Sequence, residues 1–168
     1  SARYPTTGLI QAEMRRLQVT SRRMANVQQF VGRQIPERLS PVGGWLGGTL
    51  VRLAEGELTA SFVVRREMTN PSGILHGGIM ATMLDELIGF TVFLLDDEAF
   101  FASINLTIDF LSSARMGDEV IATTRVIRRG RRVVNVEGTL SHSDGTLIAR
   151  ATSNLGLAPA LAPPAEPA

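Results

Sequence analysis

Between Gly77 and Leu95 the chain carries only two charges, on the adjacent residues Asp85 and Glu86, in an otherwise apolar run. Leu, Ile, Met and Phe at helical spacing predict one long helix there, stopped by Asp96-Asp97-Glu98. A helix this apolar cannot face solvent, so other elements must cover it. The rest of the chain supplies the cover. Residues 45–54 and 57–65, around Glu55-Gly56, read as a hairpin. After the helix the period becomes mostly two, in segments 100–111, 118–129, 132–142 and 146–156. Gly117, Gly130 and Ser143-Asp144-Gly145 separate them. Asp-Gly between two such segments is a strong hairpin signal. The plan is therefore α+β, an antiparallel β-sheet wrapped around one long central helix.

The flanks differ from this middle. Leu9, Ile10, Met14 and Leu17, then Met24, Val27, Phe30 and Val31, fit a 3.6-residue period among many arginines. Residues 1–40 are thus expected to form an N-terminal helical extension of one broken or two short helices. Pro36, Pro41 and the glycines at 43, 44, 47 and 48 end it. The domain proper is expected over 41–157, with an Ala/Pro-rich tail over 158–168.

Composition narrows the chemistry. With no cysteine and only His76 and His142, thiolate catalysis is excluded and a metal centre is not expected. No resident cofactor is expected either. A net charge of +1 gives no general pull toward nucleic acid or a membrane surface. No apolar run reaches the roughly 18 residues that span a bilayer, and no secretory signal pattern opens the chain. The expected location is cytoplasmic.

The motif that carries chemistry is Asn70-Pro71-Ser72-Gly73-Ile74-Leu75-His76-Gly77-Gly78, running into the helix that holds Asp85. Glycines at a helix start allow close approach to backbone N–H groups that carry partial positive charge. A carboxylate among Met83, Leu84, Leu87 and Ile88 is costly unless it is used. Anion-stabilising donors and a poised acid on one helix point to acyl transfer. On this reading the Gly77 N–H stabilises an oxyanion, and Asp85 acts as general base or as nucleophile. The two lie eight residues apart on one helix, roughly 12 Å, whereas reacting atoms must approach within about 3.5 Å. One site must therefore combine Gly77 of one subunit with Asp85 of another. The small residues Gly78, Ala81, Thr82 and Gly89 would let two such helices approach closely.

This order of elements, with Asn70 six positions before His76 and Asp85 nine after it, resembles the hotdog-fold acyl-CoA thioesterases. The nearest likeness is to their phenylacetate-degradation (PaaI-type) subgroup, over roughly residues 43–157. The strand Ser103-Ile104-Asn105-Leu106-Thr107-Ile108 adds to it. The resemblance implies a homodimer with two shared sites, often paired into a tetramer, that hydrolyses acyl-CoA to free CoA and a carboxylic acid. It implies that Asn70 orients water or substrate, that His76 braces the turn or the thioester oxygen, and that Ser103 holds the acid. Asp85 is preferred over Glu86 because its spacing from His76 matches the family, and neighbouring helix residues point about 100° apart. Arg128, Arg129, Arg131 and Arg132 around Gly130, with Ser113 and Arg115, are the candidate binders of the CoA phosphates and pantetheine arm. Met80, Met83, Leu84 and Phe90 are expected to line the acyl pocket. The rival reading is a non-catalytic acyl-CoA-binding regulatory module. A hotdog enoyl-CoA hydratase is disfavoured because Asp85 and His76 lack its close spacing.

Overall fold

The computed structural model describes residues 21–95 and 98–159. The expected periodic residues Leu9 to Leu17, the Asp96-Asp97 stop and the tail beyond 159 lie outside them. Helices α1 (Arg22–Gln28) and α2 (Pro41–Leu46) precede the hairpin β1 (Thr49–Ala54) and β2 (Glu57–Val63). A single 3-10 turn, Arg66–Met68, leads to the long helix α3 (Gly77–Phe93). Strands β3 (Phe100–Phe110), β4 (Glu119–Arg129), β5 (Val133–His142) and β6 (Leu147–Ala158) follow. Among the described residues, one antiparallel sheet holds six strands in the order β1-β2-β4-β5-β6-β3.

Alternation decides which face meets the helix. Leu58, Ala60 and Phe62 of β2, Val120 and Ala122 of β4, and Val134, Val136 and Leu140 of β5 are fully buried. Across from them lie Met83, Leu84, Leu87 and Ile88 of α3, also fully buried. Each of these side chains other than the two alanines contributes roughly 1.5–3 kcal/mol relative to exposure. Gly138 in β5 lets the layers close, since a Cβ there would stand 3.2 Å from Leu84 and 3.5 Å from Ile88. The opposite sheet face is polar, with ion pairs Arg52–Glu57 and Arg125–Glu137 in adjacent strands. Among the described residues, no helix is long and apolar enough to cross a membrane.

One expectation needs correction. Residues 45–54 do not form a strand throughout: the chain is helical over Pro41–Leu46, and β1 starts at Thr49. The Ser40 hydroxyl accepts from the Gly43 N–H, Pro41 occupies the first turn, and Gly47 ends the helix at φ 72°. Proline at the start and glycine past the end delimit a helix rather than forbid one. Residues 21–40 also pack against the domain, with Val27 and Ile35 buried in the same core and Gln34 bridging to Thr49.

Candidate active site

The turn before α3 is built by its own polar groups. Asn70 Oδ1 accepts from the backbone N–H of Ser72 (2.9 Å) and of Ile74 (3.2 Å). Gly73 completes the turn at φ 72°, a left-handed conformation that glycine adopts without strain. His76 is the N-cap of α3: its Nδ1 accepts from the Gly78 N–H at 2.9 Å, and its own N–H donates to Met68 O. Both side chains thus hold the entry to the helix. The capping bond fixes the His76 tautomer, with Nδ1 unprotonated.

The neighbouring amide is different. Among the described residues, the Gly77 N–H has no hydrogen-bond acceptor. It belongs to the first residue of a 17-residue helix, where partial positive charge collects. The missing side chain has a second consequence: a Cβ on Gly77 would stand 3.2 Å from the exposed ring of Phe110. The glycine therefore admits the Phe110 ring, beside an amide left without a partner.

Asp85 sits two turns along α3, half-buried, and accepts from the Ser103 hydroxyl at 3.2 Å. A bulge between Ser103 and Asn105 shifts the β3 register there, so that Ile104 turns outward at 64% exposure. Asp85 and Glu86 line one groove of about 400 Å³ between α3 and the start of β3. Glu86 borders the groove from the α2 side, its Oε1 3.1 Å from where a Gly43 Cβ would stand.

The groove's apolar lining is aromatic: Phe90, Phe93, Phe100 and Phe101. Of the residues expected to line an acyl pocket, Phe90 lies along this groove. Met83 and Leu84 are fully buried and Met80 nearly so, all within the one hydrophobic core. Four of the seven phenylalanines fall between positions 90 and 101, the sequence signal for this lining.

The cationic candidates separate into two groups. Arg115 bridges to Ile74 near the start of α3 and, with Arg66 and Asn70, lines a groove of about 770 Å³. Arg66 was not anticipated; its signal is the Arg65-Arg66 pair just before the Asn70 turn. Ser113 is exposed beside Arg115, its carbonyl accepting from His142 Nε2 at 3.1 Å. Arg128, Arg129, Arg131 and Arg132 lie at the far end of β4, where Arg129 pairs with Glu55 at 3.8 Å. At about 3.3 Å per residue, β4 holds the groups roughly 30 Å apart. A single chain therefore does not gather them into one cradle. Gly130 is required by the turn itself, since a Cβ would stand 2.6 Å from Val133 O.

The sequence profile of the Thioesterase superfamily matches residues 72–149, from the Asn70 turn through α3 to β6. Human acyl-coenzyme A thioesterase 13 is 32% identical over 111 residues, 64% of this chain and 79% of that protein. The chain belongs to the thioesterase superfamily. The solved phenylacetic acid degradation-related protein of Ralstonia eutropha JMP134 is 35% identical, with a TM-score of 0.65 over 71% of this chain and 90% of its own. A Streptococcus mutans protein bound to acetyl CoA shares the fold at 22% identity, with a TM-score of 0.63 over 66% of this chain and 88% of that one. The architecture is thus the hotdog fold, and the enzyme class is thioester hydrolase. In this thioesterase the matched span contains Gly77, Asp85 and Ser103, while α1 and α2 lie outside it.

Proposed function

We propose that this thioesterase hydrolyses acyl-CoA, with Asp85 activating water and the Gly77 N–H of a second subunit stabilising the oxyanion. The observation that carries the reading is the pairing of a Ser103-held Asp85, at the rim of an aromatic groove, with an acceptor-free amide at the start of the same helix. Asp85 takes a proton as the water oxygen bonds to the thioester carbon. The carbonyl electrons move onto oxygen, where the Gly77 N–H meets them. Collapse breaks the C–S bond, releasing CoA thiolate and a carboxylic acid.

Geometry supports a homodimer. The roughly 12 Å between Gly77 and Asp85 along α3 cannot serve one carbonyl. An antiparallel partner helix would bring each residue to its counterpart. Supporting this, β3 is an edge strand of 11 residues, exposed along most of its length, and such edges invite pairing. Gly89 of α3 has open space in front of it, room for a second helix. The pairing would also gather the phosphate binders. The Arg128–Arg132 hairpin lies toward the end of α3, beside the Gly56 turn that Leu95 contacts. An antiparallel partner sets that end against the first chain's Gly77, Arg66 and Arg115. The CoA moiety would then lie between the two cationic groups, while the acyl group enters the phenylalanine groove.

Thiol release from a panel of acyl-CoAs tests the reading. Asp85→Asn should lower kcat by about 10²–10⁴-fold, the span for a general base, with the fold retained. Unchanged turnover would refute the assignment.

A further inference from the structure

The end of α3 is fastened by two residues that lie outside the span shared with the superfamily. The last carbonyls of a helix have no partner within it and must find one elsewhere. Here the Ser21 hydroxyl donates to Leu94 O at 2.6 Å, while its oxygen accepts from the Met24 N–H and so caps α1. Arg23 Nη1 donates to Phe93 O and to Ala99 O, both at 3.1 Å. Its guanidinium carbon also lies 4.1 Å from the centre of the Phe93 ring. Phe93 in turn stacks on Phe90, with centroids 6.4 Å apart. One cation therefore joins the end of the catalytic helix to the residue before β3, and presses on a ring that lines the groove.

We propose that Arg23, with Ser21, is a positioning residue for acyl-chain selection. It holds Phe93, and Phe90 through it, as a fixed wall at the groove end furthest from Gly77. Asp85 lies two turns before Phe93, so a chain whose carbonyl sits at Asp85 meets that wall only when it is long enough. Short acyl groups do not reach it. Loosening the clamp lets the Phe93 ring turn aside and admits longer chains. The inference rests on the acyl-CoA reading above.

The test uses the full chain as wild type, Arg23→Ala, Arg23→Lys and Ser21→Ala. Calorimetry measures binding of non-hydrolysable alkyl-CoA thioethers from butyl to hexadecyl, and kcat/KM is measured for the matching acyl-CoAs. Arg23→Ala should leave butyl binding unchanged and flatten the preference against chains longer than the wild-type optimum by about fivefold, the scale of one exposed cation–π contact. Arg23→Lys keeps a charge over the ring without the fork, and should recover part of that preference even if the alanine variant folds poorly. A uniform loss at every length, or an unchanged length profile, would overturn the proposal. Wild-type protein that binds no thioether of any length would overturn the acyl-CoA reading and the clamp together. A wild type that binds them with a length profile indifferent to Arg23 would overturn the clamp alone.

Discussion

Replacing either of two buried threonines should cost unequal amounts of stability, and the proton arrangement between them says which costs more. Thr91 of α3 and Thr124 of β4 are buried, with their hydroxyl oxygens 2.6 Å apart. Thr91 donates to Leu87 O, one turn back in its own helix, at 2.8 Å. Its proton is thus committed, and Thr124 must be the donor between the two. Among the described residues, the Thr124 hydroxyl has one other acceptor, Leu58 O, at a long 3.4 Å. Thr91→Val leaves Thr124 with that weak contact, close to an unsatisfied buried donor, at about 1–2 kcal/mol. Thr124→Val leaves the Thr91 bond to Leu87 O intact and removes one ordinary hydrogen bond, at about 0.5–1 kcal/mol. The double variant replaces both partners with apolar groups of like shape and should cost less than the sum, a coupling of about 1 kcal/mol. Urea unfolding at fixed protein concentration measures all three, since assembly would make stability concentration-dependent. A costlier Thr124→Val, or strict additivity, would refute the proton assignment and with it this account of how α3 is seated on β4.

His76→Ala removes the side-chain acceptor of the Gly78 N–H and should lower the free energy of unfolding by about 1 kcal/mol; equal stability would show that the cap is dispensable. Asp144 lies below the usual carboxylate range, first because its carboxyl accepts from the Thr146 N–H at 2.8 Å and further because the Thr146 side chain bonds to it. A depressed carboxylate contributes stability above its unfolded-state value and loses it as pH falls through the folded one. Its carboxyl carbon should therefore titrate by NMR below the usual ~3.9, and a midpoint at or above that would contradict the turn geometry.

The sheet and the long helix are legible in the sequence because their signals are local and redundant. Alternation in β2, β4 and β5 coincides with real burial, and Asp144-Gly145 makes the tight turn it predicts. Helix α2 is obscured by size: six residues with two internal glycines give no period, and its caps read as breakers. The lining of the aromatic groove is hard to read for a different reason. Helix α3 is apolar on nearly all sides, so its pattern does not tell the sheet-facing residues Met83 and Leu84 from the groove-facing Phe90. Only the position of the sheet decides that. The clamp at Arg23 is equally invisible, since it joins residues about seventy positions apart.

The most direct test of the central claim mixes two crippled proteins. Gly77→Pro removes the proposed oxyanion donor at the first helical position, where the proline backbone is tolerated and its Cβ needs only the exposed Phe110 ring to shift, and Asp85→Asn removes the proposed base. Each homodimer should be nearly inactive. If each site takes its donor from one chain and its acid from the other, co-assembled variants regain one intact site in every mixed dimer, about a quarter of wild-type turnover per chain with random pairing. Turnover that stays at the level of the separate variants, once mixed dimers are shown to form, would contradict the shared site.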